Sequence, residues 1–274
     1  MTLAPEGLLP VGDARLEYRM IGPQPSEAPT IVLLHEGLGC VGLWNDFPDR
    51  LAAATGAGVF VYSRAGYGKS SPVALPRPLT YMHDEARDVL PRLLDVIGFQ
   101  RGILLGHSDG SSIATIYAGG MQDHRIRGLV FFALHLFVED RMLRSIAEAR
   151  TAYESGDLKQ RLARWHQDPD VAFYGWNRAW LDPGFPAAFD ITEALAFIRV
   201  PMLIVRGERD QYSTSRHLET ALDECYCPVE TLQLPEATHS PHRDAPEETL
   251  RAVAEFANRI LWDHGEGRDP AHAA

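Results

Sequence analysis

Cysteine is scarce. The 274 residues hold three, Cys40, Cys225 and Cys227, which cannot all pair, and the C-x-C at 225–227 has no second cluster to complete a zinc site. A disulfide framework is excluded, and the expectation is a reduced, cytoplasmic protein in which Cys225 and Cys227 are an incidental surface pair. Long apolar runs are missing too: no segment approaches the roughly 20 residues of a membrane span. The opening MTLAPEGLLPVGDARLEYRMIG has no basic start followed by an apolar stretch, so no signal peptide is expected. Positive charge is short, with 26 Lys and Arg against 37 Asp and Glu, a net charge of −11. That is the wrong sign for a nucleic-acid surface. It does not imply a cationic substrate, because a negative surface serves solubility equally well. Internal repeats and low-complexity tracts are absent. These absences leave a soluble protein with neither a nucleic-acid nor a membrane partner.

Core material is plentiful, at 45% apolar and 23% charged residues. Short apolar runs recur between turn residues: TIVLLH (30–35), GVFVYSR (58–64), RGILLGH (101–107), GLVFFAL (128–134) and VPMLIVRGE (200–208). Near-continuous apolarity without alternation marks strands buried on both faces. ARLEYRMI (14–21) and VETLQLP (229–235) are more polar candidates. Helical patterns lie between them, at 42–55, 80–99, 111–121 and 245–262, the second with a kink expected at Pro91. Strands alternating with helices predict an α/β domain, a mostly parallel sheet with helices on both faces. One region breaks the alternation. Residues 136–197 contain no convincing strand and are rich in aromatics, so they form either a cap over the sheet edge or a disguised small domain. The division is then a core of 1–135 and 198–262, the 136–197 insertion as cap or small domain, and a disordered tail of 263–274.

The run ILLGHSDGSSIA (103–114) ends a buried strand in Gly-x-Ser-x-Gly and restarts as a helix. Such a turn presents the serine hydroxyl at the carboxyl edge of a sheet, and the glycines let strand and helix approach where a side chain would clash. The amide of Asp109, at the helix start, then faces a developing oxyanion. The competing view is a tight turn with an incidental Ser108. A nucleophilic serine needs a base and an orienting acid. His239 lies between the last strand and last helix, and Asp210 just beyond the strand of 200–208, so three strand ends can converge at one edge.

The motifs HEGLG (35–39), YSRAGYGKSS (62–71), GHSDG (106–110), RGERDQY (206–212) and ATHSPHRDAPE (237–247), in this order, make the chain resemble the α/β-hydrolase superfamily over residues 14 to 262. The branch is that of small bacterial esterases, lactonases and carbon–carbon hydrolases. The resemblance implies an eight-stranded sheet with a helical cap between strands six and seven. It also implies Ser108 as nucleophile, Asp210 as acid and His239 as base, with a second oxyanion amide from Gly37 or, alternatively, Leu38. Glu36 departs from the family's His-Gly: it either points away into hydrogen bonds or is held neutral as a proton donor. The side chain of Asp109 is expected to cap or flank its helix. His107 is read as packed, His242 as a structural group near Asp244, and Arg64 and Tyr67 as turn structure. His135, Trp165, Phe173 and Trp176 are candidates for the pocket wall.

The expected activity is hydrolysis of a small carboxylic ester or thioester, part of it apolar, without metal or cofactor. Carbon–carbon cleavage of a ring-fission diketone, lyase or perhydrolase chemistry could use the same groups. A receptor-like module with negligible turnover is the alternative from another class.

Overall fold

In a computed structural model that describes residues 2–262, every strand among the described residues enters one sheet of eight, in the order β1-β2-β4-β3-β5-β6-β7-β8. The strands are β1 (Glu6–Val11), β2 (Ala14–Ile21), β3 (Thr30–Leu34), β4 (Gly58–Tyr62), β5 (Gly102–His107), β6 (Ile126–Phe132), β7 (Met202–Gly207) and β8 (Val229–Leu234). Pairings from β4 through β8 are parallel, while β2 runs antiparallel to both β1 and β4. The apolar runs at 30–35, 58–64 and 101–107 become β3, β4 and β5, all fully buried. The unanticipated strand is β1. As an edge strand with one partner it buries only two of its six residues, so it carries no apolar run, and Pro10 is tolerated there.

Alternation along the buried strands divides the core into two layers. Ile31, Leu33, Val59, Val61, Ile103 and Leu105 face one side, against Leu51 of α1 (Phe47–Thr55) and Val253 and Phe256 of the last helix. Val32, Leu34, Phe60, Tyr62 and Leu104 face the other. There they meet α2 (Tyr81–Asp84), α3 (Leu90–Val96) and α4 (Asp109–Met121). Between α2 and α3 the helix widens into a π turn at Glu85–Val89, just before Pro91, whose missing N–H and bulky ring disturb the ordinary ladder.

Between β6 and β7 the chain forms α5 (Asp140–Ser155), α6 (Leu158–Leu162), α7 (Pro169–Trp180), α8 (Phe185–Ala188) and α9 (Thr192–Leu195). The start of α7 follows from local sequence: Asp168 caps it, accepting from the Val171 N–H at 3.0 Å, and Pro169 sits where no N–H is needed. After β7 come α10 (Arg216–Glu224), α11 (Pro241–Asp244) and α12 (Pro246–Trp262). No described helix is long and apolar enough to cross a membrane. The tail of 263–274 lies outside the described residues.

Candidate active site

Ser108 occupies the corner between β5 and α4 with φ 54° and ψ −116°, a region a residue with a side chain enters only under constraint. The constraint comes from its flanks. A Cβ on Gly106 would overlap the Gly110 carbonyl, and one on Gly110 would overlap the Leu34 carbonyl, so only glycine lets α4 close onto β5 and β3. Ser111 Oγ secures the corner by donating to the Gly106 and Phe132 carbonyls at 2.7 and 3.0 Å.

Two other strand ends arrive beside it. Asp210, fully buried beyond β7, accepts from the Tyr212 N–H at 2.8 Å and Ser213 Oγ at 3.0 Å. His239, between β8 and α11, places Nδ1 2.9 and 3.0 Å from the two Asp210 oxygens. Burial pushes the His239 imidazole down, but the Asp210 carboxylate outweighs it and the pKa is raised. Burial likewise opposes ionisation of Asp210, yet His239 and the Tyr212 amide hold its carboxyl below the usual range. Ser108 and His239 both border a cavity of about 80 Å³, walled by Leu38, Met142, Ile146, Trp176, Trp180 and Tyr212. No direct hydrogen bond joins them among the described residues, which is common before a substrate compresses a site.

The remaining candidates separate into those the fold brings here and those it does not. Glu36, Gly37, Leu38 and Asp109 border the cavity. The Glu36 carboxylate turns toward Arg243, at 3.6 Å, and His107 Nδ1, at 3.4 Å. Burial raises its pKa, but those two neighbours more than compensate and Glu36 stays ionised. His107 packs as expected, its Nε2 2.8 Å from the His239 carbonyl. Trp176 forms part of the wall and lies against Gly37. Phe173 and Trp165 do not reach the cavity. Phe173 stacks on Tyr153 with centroids 3.9 Å apart, and Trp165, an exposed side chain, lies over Gly42. Phe173 shares a side of α7 with Trp176 and Trp180 but sits a turn earlier, against Tyr153 of α5, and Trp165 precedes α7 altogether.

Two expectations fail, and a third holds only for the backbone. Asp109 makes no cap: its carboxylate accepts from Tyr81 Oη at 2.7 Å and Arg64 Nη2 at 3.3 Å. Arg64 does open the turn after β4, its carbonyl accepting from the Tyr67 N–H at 3.0 Å, but its side chain is also a buried cation. His242 ignores Asp244, which accepts from Thr238, and packs among Trp44, Phe47, His107 and Phe132.

His135, beyond β6, is 2% exposed, and neither ring nitrogen has a hydrogen-bond partner among the described residues. Its ring stacks over His239 with centroids 5.4 Å apart and borders the cavity. Burial, reinforced by His239 and His217, pushes its pKa well down, so the ring is neutral. His135, Asp210 and His239 have ligand-type atoms within 4.8 Å of one another, the one such trio among the described residues. Asp210 and His239 already engage each other, which leaves a poor ligand set for an ion. A larger cavity of about 480 Å³ opens near Ile126 and Pro201, at the opposite, amino ends of β6 and β7. Ligands of open α/β sheets bind at the carboxyl ends, where Ser108 stands.

The model of the alpha/beta hydrolase family matches residues 31–252. Over 237 residues the chain is 31% identical to the RutD protein of Azorhizobium caulinodans, which carries a provisional carbamate-hydrolase name; the match covers 78% of this chain and 83% of that one. It is 30% identical over 125 residues to a proline iminopeptidase of Lactobacillus helveticus, covering 46% of this chain and less than half, 42%, of that enzyme. Among solved structures, carboxylesterase CesB (YbfK) of Bacillus subtilis superposes with a TM-score of 0.68 at 23% identity, covering 92% of this chain and 90% of that one.

Proposed function

The chain belongs to the alpha/beta hydrolase family, and from that membership we propose that it is a serine hydrolase of small carboxylic esters or thioesters, working through an acyl-enzyme on Ser108. One observation carries the proposal: a serine held at positive φ shares its cavity with a histidine whose far nitrogen is tied to a buried carboxylate. With its Nδ1 proton held by Asp210, the ring has Nε2 free to accept the Ser108 proton as Oγ adds to the substrate carbonyl carbon. The carbonyl electrons move onto oxygen, which the amides of Asp109 and Gly37 receive, with Leu38 N–H as the neighbouring donor. Collapse expels the alcohol or thiol, which takes the proton from His239. Water then repeats the sequence in reverse, and the acid leaves. The Glu36 carboxylate, drawn toward Arg243 and His107, is no proton donor here; its charge helps sustain the imidazolium.

The cavity sets the acyl group. A cavity of about 80 Å³ walled by apolar side chains suits a short acyl chain better than a long one. Along a p-nitrophenyl ester series, kcat/KM is expected to peak at acetate to butyrate and to fall by about tenfold or more at octanoate. Accumulation of the acetylated protein in quenched samples, read by intact mass, tests the covalent route; steady turnover with no adduct and no burst would reject it. Methyl carbamates belong in the panel because of the Azorhizobium relative.

His135 offers that substrate a hydrogen bond, because a buried imidazole without partners costs about 1–3 kcal/mol until something satisfies it. Ethyl lactate and ethyl isobutyrate differ by a hydroxyl in place of a methyl. Replacing His135 by Phe is expected to lower the lactate-to-isobutyrate ratio of kcat/KM by about tenfold. An unchanged ratio would mean that the ring only packs against His239.

A further inference from the structure

The acyl-transfer steps make no use of Arg64, yet this side chain is 2% exposed, in the middle of the molecule. A buried cation persists only where partners offset its lost hydration. Its partners lie on the two segments that carry the oxyanion amides. Arg64 Nη2 donates to the Glu36 carbonyl at 3.1 Å and to Asp109 Oδ2 at 3.3 Å. The Glu36 carbonyl shares a peptide unit with the Gly37 N–H, and in a trans peptide the two point in opposite directions. Pinning that carbonyl therefore aims the Gly37 amide.

The pinning is thorough. The Glu36 carbonyl also accepts from His35 Nδ1 at 2.7 Å and from the Gly39 N–H at 3.0 Å. Burial and the Arg64 charge push the His35 pKa well down, so its ring is neutral. The Arg64 backbone N–H donates to His35 Nε2 at 3.0 Å, which leaves the ring proton on Nδ1, the atom facing Glu36. On the other side, Asp109 Oδ2 also accepts from Tyr81 Oη at 2.7 Å, and Tyr81 Oη in turn accepts from Trp180 Nε1 at 3.0 Å. Trp180 ends α7 and borders the cavity. Meanwhile Arg64 Nε and Asp109 Oδ1 have no hydrogen-bond partner among the described residues. An incompletely satisfied buried pair is a poor stabiliser compared with apolar packing, so stability does not account for it.

We propose that Arg64 and Tyr81 are positioning residues of the oxyanion hole: Arg64 sets the separation of its two amides by gripping both segments, and Tyr81 ties that grip to the α7 wall through Trp180. This rests on the reading of the Asp109 and Gly37 amides as the oxyanion donors. A misplaced donor weakens the transition state and not the bound ester, so the signature lies in kcat.

The test uses the full chain with p-nitrophenyl acetate as substrate and an alkyl trifluoromethyl ketone as mimic of the tetrahedral adduct. Tyr81→Phe keeps the ring and removes the oxygen. It is expected to lower kcat by about tenfold with KM within about twofold, and to weaken the ketone by the same factor. Arg64→Met should cost about a hundredfold in both, and Arg64→Lys should recover part of it. The acid limb of the pH profile should stay in place, since His239 is not the group disturbed. Unchanged kcat and ketone affinity in a folded Tyr81→Phe, or losses confined to KM or Tm, would overturn the proposal and leave the hydrolase reading standing. A wild-type protein that neither turns over the ester nor binds the ketone would overturn both.

Discussion

Replacing Ser108 by Ala is expected to abolish the mass adduct formed with a fluorophosphonate and to lower kcat for p-nitrophenyl acetate by about 10⁴ to 10⁶. The reagent reacts with an activated hydroxyl, and among the described residues the only serine at the cavity wall is Ser108. Other serines near the corner are committed elsewhere: Ser111 and Ser112 donate to the carbonyls of Gly106, Phe132 and His135. The residual rate should exceed that of water alone, because amides that stabilise an oxyanion act on any nucleophile that reaches the carbonyl. Stability is expected to change in the other direction. Ala at φ 54° is no less strained than Ser, but it removes a hydroxyl that is confined to a narrow apolar cavity, so Tm should hold or rise slightly. An adduct that persists in the alanine variant, on another side chain, would move the nucleophile and sink the mechanism. Loss of the adduct without loss of ester turnover would do the same.

The second large effect is Asp210→Asn. In the native protein the carboxylate receives the Nδ1 proton and raises the His239 pKa against the pull of burial. An asparagine side chain can present its NH₂ to that nitrogen, favour the wrong tautomer and take Nε2 out of service as a base. A fall in kcat of about 10⁴ is expected. The pH dependence supplies an independent check. His239 acts only when neutral, so kcat/KM falls as pH drops through its pKa, which stands above the ordinary imidazole value of about 6.5. Without Asp210 the largest raising influence is gone. Burial then prevails over the lesser help from Glu36 and Asp109, and the acid limb of the residual activity should move to lower pH. A limb that stays in place, or moves upward, would mean that another group controls it. The variant is expected to fold, since the Tyr212 amide can still donate to the remaining carbonyl oxygen.

Ser108 and Asp210 lie 102 residues apart in the chain, and Asp210 and His239 lie 29 apart, yet their meeting at one sheet edge was readable from the sequence. The reason is that each ends or follows a strand of a parallel sheet. Parallel strands all deliver their carboxyl ends to one edge, so chain order and strand count suffice to bring such residues together. The same reasoning failed for side chains whose place depends on how helices pack on one another. Phe173 and Trp176 stand one turn apart on the same side of α7, yet only Trp176 reaches the cavity, because Phe173 is taken up by Tyr153 of α5, while Trp165 precedes α7 and lies over Gly42.

Sequence alone determined the scaffold and the corner. Buried strands such as β3, β4 and β5 are declared by uninterrupted apolar runs, and the turn at Ser108 by two glycines whose missing side chains permit contact with carbonyls on either side. These are local consequences of backbone sterics and of periodicity. Tertiary structure decided the electrostatics. That Glu36 turns to His107 and Arg243, that Asp109 leaves its helix uncapped for Arg64 and Tyr81, and that Trp180 closes the chain onto Tyr81 all depend on contacts across 28 to 207 residues. A charged side chain has no periodicity to announce its partner. Its position follows from which neighbours can offset the loss of water, and those neighbours exist only once the sheet and its helices have come together.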